Sequence, residues 1–334
     1  MKRGFMLGKF MPPHNGHLFV CDVALRHVDQ LTVLVCSNDA EPIDGCLRAD
    51  WMGRCLNRPG VRVVHMHRDI PQEPKDHPNF WAIWQAACRE HHPEPIDWVF
   101  GSEPYIVQLA DVLAAKPFQV DPDRSIVPVS ATQIRHAAHR HWKHVPGPVR
   151  TYYQKRITLL GPESSGKTTL SDSLAKQFGT LAIPEYGRAY DAIFRQGSGW
   201  TEADFLNIAN GHLAFADAIA ERAGPLVFED TDLLQTVVWA EALLGGVPEP
   251  VANLLKTRAS RQHYLLLGPE MGWVDDGTRY HVGHDQRLWF LNRLRHWLQK
   301  VGAHWTPVTA ANWHGRTQEA IAAVEIICAG SRQT

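Results

Sequence analysis

Residues 161–168 of this sequence read GPESSGKT and match the phosphate-binding pattern G-x-x-x-x-G-K-[ST] in full. In such a loop the glycines let backbone N–H groups approach the β-phosphate, and the lysine and hydroxyl serve the terminal phosphates and Mg²⁺. We therefore predict that Lys167 is catalytic and that Thr168 ligates Mg²⁺. The other ATP contacts predicted here are those of Gly161, Ser164, Ser165, Gly166 and Thr169.

A carboxylate at the end of a later strand extends this set. Residues 228–232 read FEDTD, which places Asp230 where a second metal-binding residue is expected. Asp230 is predicted to hold Mg²⁺ through its water shell or to take the proton of a substrate hydroxyl; the alternative is that it only caps the following helix. Asp232 is assigned to substrate binding. Three side chains at the carboxyl edge of the same sheet, where α/β domains bind ligands, are assigned likewise: Glu185, Tyr186 and Arg188.

A lid is predicted further along the chain. Residues 275–279 read DDGTR, and with Arg287 they suggest a segment that brings guanidinium groups over the transferring phosphoryl group. Arg279 and Arg287 are therefore predicted to bind ATP, although a solvated surface position would also explain either residue. Trp273 stands beside this segment, either to stack on a flat ring of the substrate or as a buried core indole.

A second phosphate-handling pattern lies near the amino terminus, where residues 8–17 read GKFMPPHNGH. It follows a predicted strand and opens a predicted helix, and it ends in H-x-G-H. His14 and His17 can stabilise the charge that develops on an α-phosphate under attack by another phosphate. Such a displacement needs positioning and electrostatics rather than a covalent nucleophile. The ATP contacts predicted in this loop are Gly8, Lys9, Phe10 and Gly16.

Residues 129–135, VSATQIR, add small hydroxyl side chains at another predicted helix start. Ser130 and Thr132 are predicted to bind ATP, and Arg135, about one turn later, is predicted to be catalytic. Ser130 also suits a helix N-cap, and the two roles are compatible because the N–H groups it faces can hold a leaving pyrophosphate.

Parallel sheets flanked by helices must position these loops, since short β-branched runs alternate with helical patterns along the chain. Residues 145–149 (VPGPV) interrupt both patterns and are the predicted domain boundary. We predict two doubly wound parallel-sheet α/β domains, over residues 1–147 and 153–334. Strands are expected at 4–8, 31–36, 61–66, 98–100, 157–160, 226–228 and 264–267, and helices at 17–27, 80–91 and beyond Gly166.

Composition narrows the class of protein. The 34 Lys and Arg residues balance 35 Asp and Glu residues for a net charge of −1, which argues against general nucleic-acid or membrane-surface binding. No apolar run approaches the roughly 18 residues of a membrane span. The six cysteines form no CxxC pair, which favours reduced thiols and a cytoplasmic location. The 19 histidines include clusters that could chelate a metal, but no complete ligand set accompanies them.

Taken together, these segments resemble a known family. The first domain resembles the nucleotidyltransferase superfamily that carries [HT]-x-G-H and a second motif like I-S-S-T-x-I-R. From Gly4 to about Val324 the chain is similar to the bifunctional bacterial nicotinamide-nucleotide adenylyltransferase and ribosylnicotinamide kinase family. The similarity rests on islands at 8–17, 79–84, 101–104, 120–124, 130–135, 161–168, 185–188, 230–232 and 273–279.

The resemblance implies a relay between the two domains. The carboxyl-terminal domain would phosphorylate ribosylnicotinamide with ATP, and the amino-terminal domain would join the mononucleotide to AMP from a second ATP, giving NAD and pyrophosphate. Trp81 or Trp84 would stack on the nicotinamide, whose positive ring suits an aromatic face; core packing is the alternative for either. Mg²⁺ is the implied cofactor, and small molecules are the implied partners, with the oligomeric state open.

The sequence departs from the family pattern at Ala131, where a serine is usual, which removes one phosphate donor. Some members also carry an amino-terminal helix-turn-helix domain, and because this chain opens on the predicted first strand we expect none. Two other functions stay open at this point. One is an adenylyltransferase and kinase for a different acceptor, such as phosphopantetheine or a flavin mononucleotide. The other is a sensor that binds nucleotide without turnover.

Overall fold

The computed structural model describes residues 1–195, 197–258, 262–273, 280 and 283–330. The chain divides into two compact units, Met1–Tyr153 and Gln154–Thr334. The predicted boundary region, residues 145–149, contains a buried residue at its start and the beginning of a helix at its end. Val145 is buried in the first unit, and the residues after it form a helix, Gly147–Tyr153, because Val149 is buried and Tyr152 packs edge-to-face on Trp51 at 5.3 Å.

The first unit contains one parallel sheet, with strand order β3-β2-β1-β4-β5 in the described residues. Two short 3₁₀ segments, Pro74–Asp76 and Ala138–His144, accompany its main elements. In chain order those elements are β1 (Arg3–Gly8), α1 (Asn15–Leu25), β2 (Gln30–Ser37), α2 (Gly45–Cys55), β3 (Val61–His67), α3 (Phe80–His91), β4 (Trp98–Gly101), α4 (Ile106–Val112), β5 (Lys116–Gln119), α5 (Ala131–Ala137) and α6 (Gly147–Tyr153).

The second unit has the same kind of sheet, with strand order β10-β9-β6-β8-β7 in its described part. A short π-helical segment, Asp191–Arg195, follows one of the helices. The elements are β6 (Lys155–Leu160), α7 (Lys167–Gln177), β7 (Ala182–Ile183), α8 (Tyr186–Tyr190), α9 (Glu202–Ala220), β8 (Leu226–Asp230), α10 (Leu233–Leu244), α11 (Glu249–Arg258), β9 (Gln262–Leu267), α12 (His284–Lys300), β10 (His304–Val308) and α13 (Trp313–Gly330).

These elements confirm the predicted class of two doubly wound parallel-sheet domains. The central strands are apolar because helices cover both faces of each sheet; five of the eight residues of β2, for example, are buried apolar side chains. One strand differs from its prediction in how far its side chains are buried. Residues 61–66 were expected to be buried, but in β3 only Met66 is buried, because β3 is the edge strand of its sheet.

Strand order also locates the binding sites. In each sheet the first strand of the unit, β1 or β6, lies at the centre, and the chain crosses over to both sides of it. Open α/β sheets bind ligands beyond the carboxyl ends of their strands, at the place where the strand order reverses. The loop after β1 contains residues 8–17, and the loop after β6 contains residues 161–168, so both motifs lie at such places.

Two further features bear on where the protein acts. In the part of the chain that the structure describes, no helix has the length and apolar character needed to cross a membrane. All six cysteine thiols are free. The cytoplasmic location expected from the sequence stays a prediction.

Candidate active sites

The H-x-G-H segment is built as a reciprocal helix cap. His14 is the N-cap of α1; its Nδ1 accepts a hydrogen bond from the Gly16 N–H at 3.1 Å, and its own N–H donates to His17 Nδ1 at 3.3 Å. The two imidazoles are stacked with centroids 3.7 Å apart, and Phe10 packs edge-to-face on His17 at 4.9 Å. Because Nδ1 of each ring accepts, the ring proton is on Nε2, where it can be donated to a ligand.

Gly16 is required by this close packing. A Cβ at position 16 would lie 2.9 Å from both Cε1 and Nδ1 of His14, which is too close for any side chain. Both imidazoles are also neutral near pH 7. Burial, followed by the nearby Arg124 charge, lowers the pKa of His14 to about 4, and burial followed by His14 lowers the pKa of His17 well below its usual range. Both rings are therefore available as neutral hydrogen-bond donors.

The second motif contacts the first through Arg135. Its guanidinium donates to the Met11 carbonyl, inside the first motif, and to Thr132 Oγ1 at 3.0 Å. Ser130 is the N-cap of α5: its Oγ accepts from Gln133 N–H at 3.2 Å, as the sequence allows. The structure thus brings Arg135 to the H-x-G-H loop, while Thr132 is exposed beside it.

A buried arginine that the sequence patterns did not single out supports the same loop. Arg48, fully buried on α2, donates to the Lys9 carbonyl at 2.5 Å and to the Cys36 carbonyl at 3.3 Å. Glu41 accepts from Arg48 and pairs with Lys9 Nζ at 3.0 Å. Lys9 is therefore anchored at both its backbone and its ammonium group. Arg48 and Glu41 lie far from the motif in sequence, so only the fold reveals their role.

The two tryptophans of α3 have different environments. Trp84 is 8% exposed and its Nε1 donates to the Pro71 carbonyl at 2.9 Å, so it is a core residue; this corrects its assignment to substrate binding. Trp81 is partly buried and packs edge-to-face on Phe80 with centroids 5.0 Å apart. Residues three apart on a helix share a face, and here the one nearer the core is Trp84.

The loop after β6 has the backbone of a phosphate-binding nest. Ser164 and Gly166 have φ values of +56° and +84°, and Gly166 caps α7 with its N–H groups facing the loop. Lys167 Nζ donates to the carbonyls of Gly161 at 3.0 Å and Pro162 at 3.1 Å. Burial lowers the pKa of Lys167, and the nearby Glu185 and Asp230 charges oppose that shift. An anion in the loop would further favour the charged ammonium.

Thr168 and Asp230 meet across the site. Thr168 Oγ1 donates to Asp230 Oδ2 at 2.5 Å, and Asp230 Oδ1 is buried with no hydrogen-bond partner among the described residues. Burial raises the pKa of Asp230, against the effect of the Lys167 charge. A hydroxyl beside an unpartnered buried carboxylate oxygen is a donor set that suits Mg²⁺, which prefers oxygen ligands. Asp230 does not cap α10, so the capping alternative is excluded.

That cap is Asp232. Its Oδ1 accepts from the Leu234 N–H at 2.9 Å and its Oδ2 accepts from the Tyr264 hydroxyl at 2.7 Å, and the side chain is buried. Burial raises the pKa of Asp232 to about 6. Both carboxylate oxygens are engaged by protein groups, which corrects the assignment of Asp232 to substrate binding: it positions the start of α10.

A cavity of about 750 Å³ opens beside the loop. Its lining includes the loop residues Glu163, Ser164, Gly166, Lys167, Thr168 and Thr169, together with Glu185, Arg188, Asp191, His212, Gln235 and Thr236. Its apolar wall contains Trp200, Phe205, Trp239 and Tyr280. The aromatic residues come from three separate stretches of chain, and no spacing rule connects them. Sequence reasoning missed this wall, although it identified the phosphate side.

Asp191 anchors one end of that wall. Its Oδ1 accepts from Arg195 Nη1 at 2.9 Å and its Oδ2 accepts from the Tyr280 hydroxyl at 2.9 Å. The Arg195 guanidinium lies 3.4 Å from the centroid of the Trp200 ring, a cation–π contact. The Tyr280 N–H also donates to the Glu163 carboxylate at 3.1 Å. Tyr280 therefore joins the phosphate-binding loop to the aromatic wall.

Of the three predicted residues after β7, two line the cavity. Glu185 is partly buried there, burial raises its pKa, and Arg188 Nη2 lies 3.7 Å from its Oε2. Tyr186 instead packs against Gly211 of α9 and its ring lies 5.7 Å from that of Phe215. This placement corrects the expectation that Tyr186 faces substrate.

A buried histidine–glutamate pair lies at the wall of the cavity. His212 Nε2 lies 2.9 Å from Glu229 Oε1, and Thr158 Oγ1 donates to Glu229 Oε2 at 3.0 Å. Burial alone would lower the pKa of His212, but the carboxylates of Glu229, Asp232 and Glu185 together outweigh burial and raise that pKa. The pair thus places an imidazole with a raised pKa at the cavity wall. Neither residue belongs to a recognisable motif.

Only part of the predicted lid lies among the residues that the structure describes. Residues 275–279, with Arg279, lie outside the described residues. Trp273 is half-buried, and its Nε1 has no hydrogen-bond partner among the described residues. Arg287 is buried and donates to the carbonyls of Glu163 at 3.1 Å and Met271 at 3.3 Å. It therefore supports the phosphate-binding loop, which corrects its placement over the phosphoryl group.

Comparison with known proteins agrees with the two-unit fold. A cytidylyltransferase-like family model matches residues 5–137, and an AAA domain model matches residues 156–316. The trifunctional NAD biosynthesis/regulator protein NadR of Salmonella typhimurium is 28% identical over 334 aligned residues, covering 94% of this chain and 80% of that protein.

Two crystal structures of NadR proteins are similar along nearly the whole chain. One, in complex with NR, has a TM-score of 0.73 at 22% identity and covers 97% of this chain and 95% of its own. The other, in complex with NAD and AMP-PNP, has a TM-score of 0.70 at 22% identity with the same coverage. The shared fold and the full-length sequence similarity confirm the resemblance inferred from the motifs.

Proposed function

We propose that this chain is a bifunctional enzyme of NAD salvage that uses two molecules of ATP. The carboxyl-terminal unit phosphorylates ribosylnicotinamide to nicotinamide mononucleotide. The amino-terminal unit transfers AMP from ATP to that mononucleotide, giving NAD and pyrophosphate. The observation that carries the proposal is the cavity beside the phosphate-binding loop, because it defines the acceptor as well as the donor.

The cavity suits a cationic nucleoside. Ribosylnicotinamide carries a positively charged pyridinium ring, a ribose and a primary hydroxyl. The aromatic rings of Trp239 and Tyr280 offer faces for such a ring, and the Glu163 carboxylate adds negative charge nearby. A neutral flavin ring or an acyclic phosphopantetheine would gain less from this combination of aromatic and acidic groups.

The kinase step follows from the positions of these groups. The primary hydroxyl attacks the γ-phosphorus, an O–P bond forms, and the bond to the β-phosphate oxygen breaks to release ADP. Lys167 stabilises the charge on the phosphates. Glu185 is one of the carboxylates that line the cavity, and its raised pKa suits it to take the hydroxyl proton. Thr168 and Asp230 would hold Mg²⁺, which would neutralise part of the negative charge of the phosphates.

The adenylyl step needs less chemistry from the protein. A phosphate oxygen of the mononucleotide attacks the α-phosphorus of ATP, and pyrophosphate leaves as the α–β bridge breaks. His14 and His17 donate Nε2–H to the α-phosphate oxygens as charge builds there. Arg135, held on the Met11 carbonyl, adds a guanidinium next to the same loop. Trp81 remains the candidate to stack on the nicotinamide ring.

The test is a comparison of acceptors. The pure chain is supplied with MgATP and, separately, ribosylnicotinamide, nicotinamide mononucleotide, phosphopantetheine, riboflavin and flavin mononucleotide, and products are separated by chromatography. NAD from both nicotinamide compounds is the expected result. Turnover of another acceptor without NAD, or no turnover of any, would overturn the proposal.

A further inference from the structure

Trp313, the first residue of α13, is an exposed indole beside the phosphate-binding loop. Trp313 is 45% exposed, and it is part of none of the apolar clusters of the described second unit. A Cβ added to Gly166 would lie 2.5 Å from Trp313 Cη2 and 3.0 Å from Cζ3, so the ring edge covers the loop backbone. Core packing does not explain an indole in this position.

Arg316 fixes the indole there. It is fully buried, and its guanidinium donates to the carbonyls of Ser165 at 2.6 Å, Gly268 at 3.2 Å and Ala310 at 3.0 Å. These contacts tie the start of α13 to the phosphate-binding loop and to the end of β9. Residues three apart lie on one helix face, so Arg316 holds the Trp313 ring against the loop.

The geometry of phosphoryl transfer indicates which part of the bound nucleotide lies near the Trp313 ring. The attacking and leaving oxygens lie roughly in line on opposite sides of the transferred phosphorus. The acceptor cavity, with its aromatic wall at Trp200 and Trp239, lies on one side of the loop. Trp313 does not line that cavity, although Gly166 touches both. The nucleoside of the leaving ADP must therefore extend away from the cavity, and Trp313 is an exposed aromatic surface available there.

We propose that Trp313 stacks on the purine base of the ATP bound by the phosphate-binding loop and so sets the affinity of the kinase site for its nucleotide donor. The inference rests on the proposed kinase function for its biological meaning. It concerns the base alone, since the phosphates are held by the loop amides and Lys167. Because every base has a flat aromatic face, stacking on an indole gives affinity with limited selectivity among bases.

The test measures binding, so that it does not depend on turnover. Mg–AMP-PNP is titrated into the full chain by calorimetry, and kinase-site binding is the component that Lys167→Ala removes. The variants are Trp313→Ala, Trp313→Phe and, as a matched exposed indole on α12, Trp289→Ala. Inorganic tripolyphosphate, which has no base, is titrated in parallel.

We expect Trp313→Ala to weaken AMP-PNP binding about tenfold, the scale of one base–aromatic stack. Trp313→Phe should keep Kd within about threefold because a ring face remains, and Trp289→Ala should not change it. Tripolyphosphate should bind Trp313→Ala and the parent chain equally. A change in AMP-PNP Kd below about twofold, or equal weakening of tripolyphosphate, would overturn the inference. If ribosylnicotinamide is not phosphorylated but these results hold, the proposed function fails and the base site stands.

Discussion

The Thr168 hydroxyl donates a 2.5 Å hydrogen bond to Asp230 Oδ2, and the other oxygen of that carboxylate is buried with no partner in the described structure. An unpaired buried polar atom costs free energy, commonly about 1–3 kcal/mol, unless a ligand satisfies it. The residues come from α7 and β8, which the parallel sheet brings together. We propose that Thr168 and Asp230 form half of a Mg²⁺ site that bound ATP would complete.

Asp230→Asn should therefore impair the use of Mg²⁺ in the kinase reaction without lowering the stability of the fold. We expect kcat of ribosylnicotinamide phosphorylation to fall by about 10²-fold or more and the Mg²⁺ concentration for half-maximal rate to rise. The thermal midpoint should not fall, because a neutral amide is easier to bury than the carboxylate. Rates are measured across a Mg²⁺ series. Asp172→Asn, an exposed carboxylate on α7, is the control, and equal losses in both variants would contradict a specific metal role.

The two activities should be separable by single substitutions. Lys167→Ala should lower ribosylnicotinamide phosphorylation by at least about 10²-fold and leave adenylylation of the mononucleotide unchanged; His17→Ala should do the reverse. Lys176→Ala, exposed on α7, and His91→Ala, at the end of α3, are the controls. Mixing the two inactive variants should restore NAD formation from ribosylnicotinamide through free mononucleotide. Loss of both activities in one folded variant would disprove independent sites.

Gly16→Ala tests the reciprocal histidine cap. The added methyl would lie 2.9 Å from the His14 ring, so the ring must move and the cap, which contributes about 1 kcal/mol, is lost. We expect adenylylation to fall sharply while ribosylnicotinamide phosphorylation is unchanged. Gly53→Ala is the matched control, since its Cβ meets nothing within 4 Å inside α2; it should stabilise the protein by about 1 kcal/mol. Unimpaired adenylylation in Gly16→Ala would argue against the cap.

The lowered pKa of His14 predicts a pH dependence of stability. In the unfolded chain His14 binds a proton near pH 6.5, but in the folded chain only near pH 4. Its contribution to stability is therefore complete above about pH 6.5 and is lost as pH falls from there to about 4, by about 3 kcal/mol in total. His14→Asn keeps a capping oxygen and cannot titrate.

Calorimetry across pH 4–7.5 checks this expectation, using the unfolding transition that nicotinamide mononucleotide shifts upward. His14→Asn should become more stable relative to the parent chain as pH falls through this range. A difference between the two proteins that stays constant with pH would show that His14 is not held neutral by burial.

The sequence predicted the loops better than the surfaces opposite them. The phosphate-binding loop and H-x-G-H could be recognised because backbone N–H groups and glycines must follow one another at fixed spacing. Helix α3 was predicted with its observed bounds, Phe80–His91, because its apolar residues repeat with helical spacing. By contrast, Trp200, Trp239 and Tyr280 meet only through tertiary packing, and no local pattern links them.

Residue roles were harder to predict than residue types. Asp230 and Asp232 are two apart on one segment, and local sequence does not say which of them caps the following helix. The structure shows that Asp232 is the cap and accepts from Tyr264, whereas Asp230 accepts from Thr168. Arg287 was expected over the phosphates because its charge suits them, yet it is buried and supports the loop carbonyl of Glu163. Charge alone does not indicate which face of a loop a side chain contacts.

The central claim is that each NAD made from ribosylnicotinamide uses two ATP molecules at two different sites, one losing its γ-phosphoryl group and the other its adenylyl group. The most direct measurement is the product ratio in a reaction of the pure chain with ribosylnicotinamide and MgATP, followed by ³¹P NMR. The account predicts one ADP and one pyrophosphate for every NAD. Formation of NAD without matching ADP, or of ADP and mononucleotide with no pyrophosphate or NAD, would contradict it.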